Sequence, residues 1–105
     1  MKTVETVKQF NELINNGKTI ALFTADWCPD CRVIEPELPG IEAEYPQFTF
    51  LSVDRDQFIE VCQQYDVFGI PSFLAFDNGE ETGRFVSKDR KTKQEITEFI
   101  DALPK

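Results

Sequence analysis

Histidine is absent from this chain, and cysteine occurs only three times, as Cys28, Cys31 and Cys62. A structural zinc site needs about four nitrogen or sulfur ligands, and the Cys28/Cys31 pair supplies two of them. No metal site is therefore expected. Also missing is any apolar stretch of signal-peptide or membrane-spanning length, since Met1 is followed by charged and polar residues,. That absence predicts a soluble, intracellular, cytoplasmic protein, in surroundings where thiols stay reduced and a cysteine pair more often works than braces. Positive charge is in deficit. Eleven Lys and Arg against 19 Asp and Glu leave a net charge of −8, which argues against nucleic acid and anionic membrane as partners. No internal repeat, low-complexity tract or linker interrupts the sequence.

What remains is material for a core. The 105 residues are 41 % hydrophobic and include ten phenylalanines, which excludes a disordered chain and predicts one domain spanning 1–105,. Within it, Trp27-Cys28-Pro29-Asp30-Cys31 is the most informative segment. The run before it, Thr19 to Ala25, is apolar and β-rich but too short for a typical helix, so it reads as a buried strand,. The stretch after it carries Val33, Ile34, Leu38, Ile41 and Tyr45 at helical spacing. A Cys-X-X-Cys at such a junction points to thiol–disulfide chemistry.

The expected geometry explains why. With Cys28 as N-cap and Pro29 as first helical residue, the missing proline N–H costs nothing. Cys31 then lies one turn on, close enough to reach Cys28 across a disulfide. Free N–H groups of the first turn favour a thiolate at Cys28, the attacking species. Only the N-cap position faces out of the helix start, so Cys28 is expected exposed and Cys31 shielded. A permanent structural disulfide is a weaker reading, because so small a loop is stabilised little by closing it.

The rest of the chain frames this motif. Thr6 to Asn16 reads as an amphipathic helix presenting Val7, Phe10, Leu13 and Ile14, stopped at Asn16-Gly17,. Pro36 and Pro39-Gly40 predict a bent or interrupted helix from about Pro29 to Glu44. Phe48 to Asp54 is the next strand, which makes a right-handed βαβ unit. A short helix over Gln57 to Gln64 follows, with Phe58, Val61 and Cys62 inward; Cys62 is read as a small buried hydrophobe. Ser72 to Phe76 and Gly83 to Val86 form a hairpin around Asn78-Gly79. Thr92 to Leu103 is a closing helix buried through Ile96, Phe99, Ile100 and Leu103. A further edge strand is expected at Thr3–Glu5, and Asp54 is expected to cap the turn after its strand. The fold class is α/β, a mixed four- to five-stranded sheet with helices on both faces.

This order of elements, with Trp-Cys-X-X-Cys after the first core strand, resembles the thioredoxin family over nearly the whole chain. A second segment agrees: Val67-Phe68-Gly69-Ile70-Pro71-Ser72-Phe73 is similar to the family's cis-proline segment. The resemblance implies a thioredoxin fold in which Pro71 sits opposite the cysteine pair and Ile70 offers backbone groups to substrate. It further implies a protein disulfide reductase with Cys28 as nucleophile and Cys31 as resolving thiol, and with Trp27 and Pro29 shaping the contact surface. A core role for Trp27 is the competing reading. The implied partners are disulfide-containing proteins and a thioredoxin reductase, acting on a monomer that needs no bound cofactor.

Departures from the family bear on mechanism. Pro29-Asp30 stands between the cysteines where Gly-Pro is usual. The family's buried aspartate aligns with Leu22, its nearby lysine with Phe50, and the glycine after its last strand with Ser87. Asp30 is the candidate replacement for proton transfer, against the plainer reading of a helix-start acid. Its carboxylate raises the Cys28 pKa, while Arg32 pulls the other way. Two alternatives stay open: a glutaredoxin-like reductase of low-molecular-weight thiol adducts, favoured by Pro29, and a non-catalytic binding module.

Overall fold

Alternation along the strands builds the core, because successive side chains point to opposite faces of a sheet. The computed structural model describes residues 1–104. Its strands are β1 (Lys2–Thr3), β2 (Lys18–Thr24), β3 (Thr49–Asp54), β4 (Ser72–Asp77) and β5 (Glu80–Phe85). They form a five-stranded sheet in the order β1-β3-β2-β4-β5. β3 runs parallel to both β1 and β2, whereas β4 is antiparallel to β2 and β5.

On β2, Ala21 and Phe23 join one apolar layer with Phe10, Leu51, Phe58, Val61 and Phe76. Ile20 and Leu22 face the other way and join Ile34, Ile41, Phe50, Phe73, Ile96 and Ile100. Helices α1 (Val7–Ile14) and α4 (Ile59–Gln64) cover the first face. Helices α2 (Pro29–Ile34), α3 (Leu38–Glu44) and α5 (Lys93–Asp101) cover the second.

Proline breaks the motif helix as expected. A single 3-10 turn, Glu35–Glu37, separates α2 from α3, with Pro36 and Pro39 each in a first turn where no donor is needed,. Caps fix the ends of the flanking helices. Thr6 accepts from the Gln9 N–H, and Thr92 with Glu95 forms a reciprocal capping box,. Some expectations shift. The edge strand lies at Lys2–Thr3 rather than Thr3–Glu5, and Val4 beyond it is buried in the core at 2 % exposure. β5 begins at Glu80, since Asn78 and Gly79 adopt positive φ (50° and 89°) and close the hairpin in two residues,. Val33 is 49 % exposed: α2 turns Cys31 and Ile34 inward, and Val33 lies off that face,. Val7 is exposed as well, at the solvent edge of α1.

Candidate active site

Both ends of the Cys-X-X-Cys segment are held by backbone hydrogen bonds. The Cys28 N–H donates to the Ala25 carbonyl at 3.2 Å and the Arg32 N–H to the Cys28 carbonyl at 3.2 Å. Cys28 is the N-cap of α2, and its Sγ accepts from the Cys31 N–H at 3.2 Å. Pro29 occupies the first helical turn, so this donor is not lost to a proline,. Cys28 and Cys31 are joined in a disulfide, with Cα atoms 5.3 Å apart. The Arg32 guanidinium reaches back and donates twice to the Asp26 carbonyl, at 3.1 and 2.6 Å, which fixes the approach to the motif.

Exposure of the two cysteines differs from expectation. Cys28 is 4 % exposed and Cys31 1 %; both are buried, because the Cys28 sulfur is bonded to Cys31 and packed among Ala25 and Ile70. The two remain unequal in access. A surface cleft of about 300 Å³ is lined by Trp27, Cys28, Pro29, Asp30 and Ile70, whereas Cys31 does not reach it. The Ile70–Pro71 bond is cis, and Ile70 packs directly against the cysteine cluster.

The cleft wall is set by contacts between distant segments. Trp27 is 59 % exposed, so its core reading is discarded. Its indole N–H donates to Asp56 Oδ2 at 2.6 Å, and the Arg55 guanidinium lies 5.9 Å from its ring centre,. Asp54, as expected, accepts from the N–H groups of Asp56 and Gln57 (2.8 and 3.2 Å) and holds that turn. On the opposite side, Ser72 Oγ donates to the Gly69 carbonyl at 2.6 Å. The backbone at Gly69 approaches that of Ser87 so closely that a Cβ there would meet the Ser87 carbonyl oxygen at 2.5 Å.

The cysteine pair packs in an apolar cluster with Ala25 and Ile70. Leu22 and Phe50 both belong to the second core layer, and the buried polar or charged residues among those described are Thr19, Ser72 and Lys91. No Asp or Glu is among them. Lys91 Nζ donates to the Ser87 carbonyl, Ser87 Oγ and the Asp89 carbonyl (3.3, 3.0 and 3.0 Å), folding the loop that faces the cleft. Burial pushes the Lys91 pKa down, while Asp89, Glu95 and Asp30 pull it back up. Burial likewise pushes the Cys62 thiol up, against the lowering influence of Arg55. Asp30 is paired: its Oδ1 accepts from Arg90 Nε at 3.0 Å.

Sequence reasoning missed Arg55, Asp56 and Arg90. No local pattern marks them, since each acts on the motif from a separate loop. Phe68 carried a signal, as part of the segment leading into Ile70-Pro71.

The thioredoxin family model matches residues 2–102. The chain is 37 % identical to an H-type thioredoxin of Fagopyrum esculentum over 86 residues, covering 77 % of this chain and 74 % of the relative. It is 35 % identical to a thioredoxin of Chlamydia trachomatis over 91 residues, covering 86 % and 89 %. The X-ray structure of Fasciola hepatica thioredoxin superposes with a TM-score of 0.83 at 31 % identity, covering 96 % and 97 %. A cysteine pair joined across one helical turn, a cleft that reaches only its first sulfur, and these likenesses converge: the chain belongs to the thioredoxin family and is a thiol–disulfide oxidoreductase, a disulfide reductase built on Cys28 and Cys31.

Proposed function

We propose that Cys28 is the nucleophile of this reductase and Cys31 its resolving thiol. In the reduced protein the Cys28 thiolate attacks one sulfur of a substrate disulfide, forming a Cys28–substrate mixed disulfide and releasing the other substrate sulfur as thiolate. The Cys31 thiol loses its proton and attacks Cys28 Sγ. That step expels the second substrate thiolate and leaves the Cys28–Cys31 disulfide, so two electrons have passed to substrate. The observation that carries this order is the cleft, which is lined by Cys28 and not by Cys31.

Substrate is held against Trp27, Pro29, Ile70 and Pro71. An extended segment pairs its backbone with Ile70 beside the cysteine pair, in the manner of strand addition. Asp30 receives the Cys31 proton, directly or through water. Its support is that it lies within the motif turn, while Cys31 clusters with Ala25, Cys28 and Ile70 and no Asp or Glu is among the described buried residues. A dithiol donor, a thioredoxin reductase by family analogy, returns the electrons. The protein works as a monomer in the cytoplasm; among the described residues no helix is long and apolar enough to cross a membrane. No bound cofactor or metal takes part in this cycle.

Replacing Cys31 with serine tests the order directly. Cys31→Ser should accumulate mixed disulfides through Cys28, which mass spectrometry of trapped adducts would locate. Adducts on Cys31 in a Cys28→Ser variant at equal yield would reverse the assignment.

A further inference from the structure

Asp30, Arg55 and Lys88 are the charged residues that line the redox cleft. Two of them are already met. Asp30 Oδ1 accepts from Arg90 at 3.0 Å, and the Arg55 guanidinium lies 3.3 Å from Asp56 Oδ1 and against the Trp27 ring. Lys88 is exposed and enters no ion pair among the described residues. Asp89, its neighbour in sequence, does not line the cleft. One positive charge is thus left uncompensated beside the cysteine motif, on a chain whose net charge is −8. The backbone that carries it is fixed. Lys91 is 1 % exposed, and the three protons of its ammonium meet the Ser87 carbonyl, Ser87 Oγ and the Asp89 carbonyl,. The peptide between Ser87 and Lys88 in turn abuts Gly69, where a Cβ would lie 2.5 Å from the Ser87 oxygen and 2.7 Å from the Lys88 nitrogen. Lys88 therefore emerges beside the segment that leads into Ile70.

We infer that Lys88 is a specificity-determining residue, which pairs its ammonium with an Asp or Glu side chain lying close in sequence to the disulfide being reduced. The inference rests on the disulfide-reductase reading, because that reading lays a substrate segment along Ile70. Such an extended segment advances about 3.3 Å per residue, and the flexible four-carbon stem of Lys88 reaches across neighbouring positions. The overall charge of −8 repels an acidic segment from afar. Salt screens that repulsion over about 8 Å under physiological conditions, so at contact the unpaired ammonium in the cleft decides. Exposure sets the size of the effect. A solvent-exposed ion pair is weak, and the selection is one of several-fold, not of orders of magnitude.

The test uses the full chain and a family of disulfide-linked peptides that differ at one residue, Asp, Asn or Lys, placed at each position flanking the cysteine in turn. For at least one placement, the Asp-to-Lys ratio of kcat/KM should be roughly fivefold higher in the wild type than in Lys88→Gln, with the change in KM. In that comparison the peptides' own reactivity cancels. Lys88→Glu should carry the ratio further in the same direction. Lys8→Gln removes the same charge from α1 and should leave the wild-type ratio in place. Raising salt to about 1 M, where the screening length is about 3 Å, should bring the wild-type ratio down to that of Lys88→Gln. Amide shifts give a readout independent of turnover. A peptide with Ser in place of its cysteine should move the Lys88 amide further if it carries Asp than if it carries Asn. The same ratio in the wild type and Lys88→Gln at every placement, or shifts at Lys88 equal for Asp and Asn, would overturn the inference. An equal loss of preference in Lys8→Gln would assign the effect to the field of the whole chain and overturn it as well. Failure to reduce any peptide, with the Asp-dependent shifts intact, would instead remove the reductase reading and leave the carboxylate contact standing.

Discussion

Arg90 Nε donates to Asp30 Oδ1 at 3.0 Å, tying the loop before α5 to the turn between the two cysteines across 60 residues of chain. Asp30 is the one acid within the Cys28–Cys31 turn, and its charge opposes a thiolate at Cys28. Arg90 offsets part of that charge. Because both side chains are substantially exposed, the pair adds little to stability. Its consequence lies in the field at the cysteines.

Asp30→Asn should therefore lower the pKa of the Cys28 thiol, by removing a negative charge and leaving Arg90 unpaired. Arg90→Ala should raise it. If Asp30 also carries the Cys31 proton, Asp30→Asn slows resolution of the mixed disulfide even as attack by Cys28 becomes easier. Thiolate absorbance against pH and single-turnover reduction, measured on the same variants, separate the two effects. Unaltered resolution in Asp30→Asn would reduce that residue to a helix-start acid.

Mild alkylation of the reduced protein should label Cys28 before Cys31 and Cys62. Cys28 alone of the three lines the redox cleft, Cys31 is 1 % exposed, and burial keeps the Cys62 thiol protonated and slow,. Peptide mapping after partial labelling reads the order. Cys31 reacting first would invert the proposed roles.

Gly69→Ala should destabilise the fold by about 1–3 kcal/mol, as overpacking against backbone does. The added Cβ would sit 2.5 Å from the Ser87 oxygen and 2.7 Å from the Lys88 nitrogen, neither of which can swing aside like a side chain. Since Gly69 immediately precedes Ile70, KM for peptide disulfides should rise as well. Urea denaturation and steady-state kinetics check both; a neutral result would mean that the two loops separate easily.

Tyr45 gives a pH signature distant from the cysteines. Its hydroxyl donates to Asp101 Oδ1 at 2.7 Å and to the Thr97 carbonyl at 3.3 Å, joining the end of α3 to α5. Burial first, then the hydrogen bond to Asp101, pushes its pKa from 10.0 up to about 12. The unfolded chain thus ionises before the folded one, so the contribution is full below pH 10.0 and is lost as pH rises toward about 12,. Tyr45→Phe should destabilise the protein by about 1 kcal/mol at neutral pH. The gap between variant and wild type should close across that alkaline window, as followed by denaturation at each pH. A gap independent of pH would show that packing alone accounts for the loss.

Much of this protein was determined by short-range pattern. A short continuous apolar run over Thr19–Ala25 and helical spacing after Cys31 mark β2 and the motif helix, because a central strand is buried on both faces while a period of 3.6 places apolar groups on one side of a helix,. Pro36 marks the break between α2 and α3 by lacking an N–H, and Asn78-Gly79 marks the hairpin by tolerating positive φ. The cysteine pair and its N-cap position were legible for the same reason, as a local arrangement of a few consecutive residues, whereas the segment holding Ile70 and Pro71 was marked by its resemblance to the family's.

Tertiary structure alone decided what surrounds them. Val33 fits the helical stripe in sequence, yet α2 buries Cys31 and Ile34 and leaves Val33 in water. Trp27 could serve core or surface until Asp56 and Arg55 held it outside. Lys91 reads as a surface charge and is instead buried, its ammonium spent on three acceptors of one loop. Arg90 meets Asp30, and Arg55 and Phe68 line one cleft with the cysteine motif, only because the sheet order brings loops far apart in the chain to the same end of the sheet. Such contacts depend on where backbones converge, and residue type and spacing carry no record of that.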